Sequence, residues 1–196
     1  MSDHGILCAT HEAMLHPYDT YGIEFCRTFS SKALLPAPNI WRVCGVDGDQ
    51  LTRFWLAVLW RFSVSALPEA AEVRLGSYEK ILRDILFFGA SCSPEPAIVI
   101  MRYRSGVIPP ENVCFPPYVS KFPPSGHLHA YGMAVAGLHA WVKLDHQPLP
   151  CLAHLTTING KHEAKGGYLE LEQTSQFQHM LKIAENMSLK PSPPRR

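Results

Sequence analysis

The chain has 196 residues, the length of one domain, enough to bury a real core and too few for a second full domain. Its 18 Lys and Arg against 17 Asp and Glu leave a formal charge of +1, which excludes a protein steered onto nucleic acid by its overall field. With 46% hydrophobic and 18% charged residues it is too apolar for intrinsic disorder and too polar for a membrane protein.

The first residues, Met1 to Cys8, hold no basic segment leading into an apolar stretch, so no secretory signal is read and the expected location is the cytoplasm. The six cysteines are scattered over a chain large enough to need no staples, which predicts free thiols. Residues 11 to 29 predict a short helix broken at Pro17 and briefly resumed, because proline removes a donor. Leu34 to Asn39 reads as a turn or loop and Ile40 to Cys44 as a short strand. Asp47, with Gln50 three residues on, has capping-box spacing for a helix over Leu51 to Val64 whose apolar residues occupy nearly every face. That run is shorter than a membrane span and carries Arg53 and Arg61, so it predicts a buried central helix. A second helix follows Ser77, with Tyr78, Ile81, Leu82 and Ile85 as its apolar stripe and Gly89 as its stop.

Ala97 to Tyr103 predicts a strand, and three proline pairs between there and Gly126 predict an extended loop. His127 to Met133, Leu138 to Leu144, Leu152 to Ile158 and Tyr168 to Leu171 read as strands of an antiparallel meander, with a turn at Asn159-Gly160. Ser175 and Gln178 cap a last helix with Phe177, Met180, Leu181 and Ala184 on one face, before a basic tail over 191–196. The fold class expected is α+β in one domain over 1–190. A helical half (about 1–90) is built on the central helix, and an antiparallel sheet (about 95–190) is closed by the last helix.

The clearest chemical cluster is His4, Cys8, His11 and His16, in which Cys8-Ala9-Thr10-His11 has the gap of paired zinc ligands. Structural zinc needs four donors, and no second Cys-x-x-Cys or Cys-x-x-His occurs. The half-site is therefore read as a remnant with no cofactor. Zinc is the alternative if His4 or His16 and a remote cysteine such as Cys26 or Cys44 complete the tetrahedron.

The run Ile6-Leu7-Cys8-Ala9-Thr10-His11-Glu12, followed by Leu15, Tyr18-Asp19 and Tyr21-Gly22, resembles the end of the treble-clef module in a group of bacterial and phage HNH-like proteins. The last zinc knuckle of those proteins reads Leu-Leu-Cys-x-x-Cys-Glu. The resemblance continues through Val46-Asp47-Gly48, Leu51, Phe54, Leu59 to Ser65 and Val73 to Glu79, and more faintly through Val142 to Asp145 and Leu149-Pro150. His11 replaces the second knuckle cysteine, and only seven residues precede Cys8. The upstream general base and first zinc pair of an HNH nuclease are thus not expected, and neither is HNH cleavage.

His127 and His129 share a strand face that His139, His146, His154 and His162 could approach, although strand histidines are more often structural. Arg53, Arg61, Arg74, Lys80, Arg83, Arg102 and Arg104 are candidates for a basic contact face, with a merely solvated surface as the plainer reading. The function the resemblance implies is non-catalytic recognition of a protein or protein–nucleic-acid complex in bacterial defence or phage counter-defence, for example inhibition of a CRISPR-type complex. It would act in the bacterial cytoplasm and without a membrane. The rival is a subunit of a nuclease system, or a metal-dependent hydrolase that uses the histidines with a partner chain.

Overall fold

The computed structural model describes residues 6–92, 95–121 and 129–188. Helix α1 (Ala9–Lys32) runs unbroken through Pro17, correcting the expected break. A proline inside a helix forfeits one main-chain hydrogen bond and crowds the preceding turn. Burial of Leu15, Phe25, Cys26 and Phe29 along one side supplies what the propensity lacks. Strands β1 (Leu34–Ala37) and β2 (Ile40–Cys44) follow, so the expected loop at 34–37 is an edge strand that carries Pro36.

Helix α2 (Gly48–Val64) begins where the capping signal puts it. Asp47 Oδ1 accepts the N–H groups of Asp49 (3.1 Å) and Gln50 (3.0 Å), and Gln50 Nε2 donates to Asp47 Oδ2. Leu51, Trp55, Leu56, Ala57 and Leu59 are fully buried, which makes α2 the centre of the helical layer. Gly22 of α1 lies flat on the Phe54 ring, leaving no space there for a side chain. Helix α3 (Tyr78–Phe87) buries Leu82, Ile85, Leu86 and Phe87, and Gly89 leaves it with φ +73°. Ile81, expected in the buried stripe, is exposed instead.

The larger sheet has the order β4-β5-β6-β3-β8, built from β3 (Ala97–Arg104), β4 (Phe115–Lys121), β5 (His129–Val135), β6 (Leu138–Lys143) and β8 (Tyr168–Glu170). Strands β4, β5 and β6 form an antiparallel meander, β3 pairs antiparallel with β6, and β8 runs parallel to β3. Ala136 and Gly137 both have positive φ (48° and 77°), as a two-residue hairpin turn between β5 and β6 requires. Strand β4 incorporates the proline pair at 116/117 that predicted a loop. The pair at 123/124 and the histidine at 127 lie outside the described residues.

The segment expected as a strand at 152–158 forms the short helix α4 (Cys151–Thr156), and Thr157 makes only an isolated bridge to Val99. Strand β7 (Glu163–Gly166) then joins β2, giving a small sheet of order β1-β2-β7 that ties the two halves of the chain together. Helix α5 (Ser175–Ser188) is capped one residue earlier than expected: Thr174 Oγ1 accepts the Phe177 N–H, and the Gln178 amide donates to the Glu172 carbonyl. Of its expected stripe Phe177 is buried, Met180 and Leu181 are exposed, and the Ala184 side chain lies outside the described ones.

Alternation along the strands divides the core. Ile98, Ile100, Met133, Leu138, Ala140 and Val142 face the helices, while Val99, Tyr103, Ala130, Ala134 and Trp141 face outward beneath α4, α5 and the 105–113 connection.

Candidate functional site

Cys8 occupies the N-cap of α1, and its Sγ lies 3.1 Å from His11 Nδ1. The His11 main-chain N–H and then its imidazole hold the exposed Cys8 thiol below the usual cysteine range. His11 stacks edge-on against Phe87, whereas His16 lies further along α1 beside Thr20 and His4 lies outside the described residues. Cys26 is buried, its thiol pushed up to about 12 by desolvation, and Cys44 is exposed at the end of β2. Among the described residues no three His, Cys, Asp or Glu gather as metal ligands, so Cys8 and His11 supply two of the four donors zinc needs.

Four of the seven candidate basic residues are bound within the fold. Arg53 donates to the carbonyls of Ile85 and Ala90 at the end of α3. Arg61 forms a bidentate pair with Asp19 (2.9 and 2.6 Å) and reaches Glu12, locking α2 to α1. Arg102 is nearly buried, donates to the Ala136 carbonyl and lies over the Phe29 ring. Arg104 binds Asn39 and Pro38 while stacking 3.6 Å from the centre of Tyr168. Arg74 is exposed and bonds Ala71, and Lys80 and Arg83 project from α3 into solvent. Four of the seven, Arg53, Arg61, Arg102 and Arg104, are thus engaged by groups of the chain itself, and Arg74, Lys80 and Arg83 are exposed.

A site that the sequence did not single out lies on the outer face of the larger sheet. Strand β6 is buried on both faces, yet it carries His139 and Lys143 alternating with Leu138, Ala140 and Val142. Lys143 is paired with Asp145 (2.6 Å) and approaches Glu95, which in turn bonds His146; burial pushes the Asp145 carboxyl up, but Lys143 and the Gln147 N–H outweigh it and hold it low. His139 is 0% exposed, and its Nε2 is 2.9 Å from the Tyr118 hydroxyl while Nδ1 has no hydrogen-bond partner. Burial alone drives its pKa down to about 3, so the imidazole is neutral at physiological pH.

Tyr118 reaches His139 across Gly132 of the strand between them, where a Cβ would come within 2.6 Å of the tyrosine ring. The edges of Tyr103 and Trp141 pack on the imidazole, with ring centroids 5.6 and 4.1 Å away, and the Trp141 indole donates to Ser120 Oγ. These side chains floor a cavity of about 230 Å³ whose rim is made by Lys121 and by Thr174, Ser175 and Gln176 at the start of α5. His129, His146, His154 and His162 are exposed and contribute nothing to it.

The small sheet offers a different surface. Strand β1 has a neighbour on one side only, and Leu34 (52% exposed) and Leu35 (65%) lie open on it, with Ile40 (46%) exposed at the start of β2. Comparison with protein-family models, with curated proteins and with solved structures finds no match to this chain. Among the described residues no helix is long and apolar enough to cross a membrane.

Proposed function

We propose that this chain is a non-catalytic recognition protein that binds a protein or protein–nucleic-acid complex through the β1 edge. The supporting observation is the exposed aliphatic side chains at this edge, Leu34 and Leu35 on β1, which is paired on one side only, and Ile40 at the start of the neighbouring β2. The four-residue β1, with Pro36 and a register shift, is a poor template for adding a further strand, so the contact is carried by its open aliphatic side chains and not by a new ladder. The resemblance to phage-associated HNH-like proteins supplies the setting, a complex of bacterial defence or phage counter-defence such as a CRISPR-type effector. Arg53, Arg61, Arg102 and Arg104 are spent on contacts within the fold and the formal charge is only +1, which favours a protein surface over bare nucleic acid.

The test passes the tagged chain and its Leu34→Asp/Leu35→Asp variant, each checked for folding by circular dichroism, over lysates of phage-infected and uninfected bacteria. Nuclease-complex components retained by the native chain and lost by the variant are the expected result. A partner retained equally by both would move the contact away from β1. Metal-dependent cleavage of DNA or RNA by the purified chain, abolished by a histidine substitution within it, would overturn the non-catalytic reading.

A further inference from the structure

We infer that the solvent face of the small sheet receives an acidic protein surface, one that sets aliphatic side chains on Leu34 and Ile40 and carboxylates opposite Arg42 and Lys165. The inference rests on the reading of the β1 edge as the contact and adds the chemistry of what meets it.

The face follows from the register. Residues paired directly across an antiparallel sheet share a face, so Leu34, Arg42 and Lys165 form one row across β1, β2 and β7. Ile40, two residues before Arg42, stands on the same side. Trp41, Val43, Ala164 and Gly166 alternate with this row and are buried on the opposite face. The row itself stays open: Leu34 and Ile40 are exposed, the Arg42 side chain is 43% exposed, and Lys165 is half-buried.

Charge selects the partner. Over the whole chain 18 Lys and Arg nearly balance 17 Asp and Glu, but the small sheet departs from that balance. Its strands carry Arg42 and Lys165 against one acid, Glu163, while the exposed Lys32 stands two residues before β1 and Lys161 two before β7. Glu163 is engaged 3.8 Å from Arg42, and among the described residues no ion pair occupies Lys32 or Lys165. Burial first, and then the charge of Lys165, hold the Lys161 ammonium below the usual lysine range against the pull of Glu163, so the lysines act on one another despite the acid between them. Phosphates of a nucleic acid would answer the cations and leave Leu34 and Ile40 facing sugar and phosphate. A protein surface with carboxylates around an aliphatic centre answers both.

The experiment titrates the full chain with three peptides of equal length. In the first, leucines alternate with glutamates; the second has lysine for each glutamate, and the third serine for each leucine. A short DNA duplex is the fourth probe, and the amide signals of Leu34, Ile40, Arg42 and Lys165 are followed by NMR. The leucine–glutamate peptide is expected to move them saturably, at least tenfold more tightly than the lysine or serine version, and more weakly as salt is raised. Lys165→Glu should reduce both that affinity and its salt dependence at an unchanged melting temperature, and Leu34→Ser should reduce the affinity while the salt dependence stays. Lysate capture separates this inference from the reading beneath it. A partner lost by Leu34→Asp/Leu35→Asp and kept in full by Lys165→Glu would overturn the acidic assignment while the edge contact stands; one kept by both variants would overturn the two together. Equal affinity for the glutamate and lysine peptides, tighter binding of the DNA duplex than of any peptide, or signals that move only elsewhere on the chain would each overturn the assignment.

Discussion

Replacing Gly132 by alanine tests how the outer-face cluster is held. The new methyl group would lie 2.6 Å from Tyr118 Cζ and 2.7 Å from its hydroxyl, too close for either to stay. The tip of a side chain can swing aside where backbone could not, so the steric cost itself is modest. The swing, however, takes the hydroxyl from His139 Nε2 and leaves both nitrogens of a fully buried imidazole without partners. An orphaned buried polar group costs about 1 to 3 kcal/mol, while alanine in a strand recovers roughly 0.5 to 1 kcal/mol of glycine's conformational entropy. The difference is about 0 to 2.5 kcal/mol, to which the modest steric cost adds, so a net loss centred on about 1 kcal/mol is expected, or roughly 2 to 4 °C in melting temperature for a chain of this size. Urea denaturation of Gly132→Ala, Tyr118→Phe and the double variant forms a cycle in which the two losses overlap instead of adding, since both remove the same hydrogen bond. A neutral or stabilised Gly132→Ala, or strictly additive losses, would refute the reasoning.

Gly22→Ala should also destabilise, by about 1 to 3 kcal/mol, although alanine gains roughly 1 kcal/mol in helix propensity, because here the obstacle is the buried Phe54 ring between α1 and α2. Thermal melting checks the sign, which propensity alone would reverse. His139 is held near 3 in the folded chain against 6.5 unfolded, so the unfolded chain binds the extra proton between those values and stability falls as the pH drops from 6.5 towards 3. Denaturation midpoints across that range should show a shallower acid slope in His139→Gln, and an unchanged slope would contradict the burial. Cys8 should react with Ellman's reagent at pH 7 faster than Cys44 or Cys114, and His11→Ala should slow it while leaving the melting temperature within the equivalent of about 0.5 kcal/mol, as for other exposed changes. Equal rates for the three thiols would count against the Cys8–His11 contact.

Helix α2 was legible because its signals are local: Asp47 and Gln50 mark its start, and the apolar run from Leu51 marks its burial. The proline-bearing segments misled for one shared reason. Pro36 lies in β1 and the pair at 116/117 in β4, each the edge of its sheet, and the pairing shifts register at both places, between Leu34 and Ala37 and between Phe115 and Tyr118, so the missing N–H groups fall where the regular ladder is interrupted. Pro17 misled because the tertiary contacts of Leu15, Phe25 and Phe29 outweigh one lost bond, which no local pattern reports. The 152–158 segment is a short apolar run, and over six or seven residues helix and strand periodicities are hard to separate. The outer-face cavity was hidden because β3, β4, β6, β8 and the start of α5 each contribute between one and three residues to it. Its one sequence signal was β6 itself, where His139 and Lys143 sit among apolar neighbours on a strand with no solvent face.

The pairing of β2 with β7 also sets a timetable for synthesis. Trp41 to Cys44 find their partners at Glu163 to Gly166, and the Asn159 side chain bonds Cys92, Pro96 and Ile98 at the start of β3. At about 5 to 20 residues per second, the roughly 120 residues between β2 and β7 take about 6 to 24 s to emerge. Throughout that interval β2 has only β1 beside it, with Leu34, Leu35 and Ile40 uncovered, so the nascent chain is open to mispairing until its last third leaves the ribosome. Slower elongation would lengthen that exposure, and holding chaperones should raise the soluble yield most during this window.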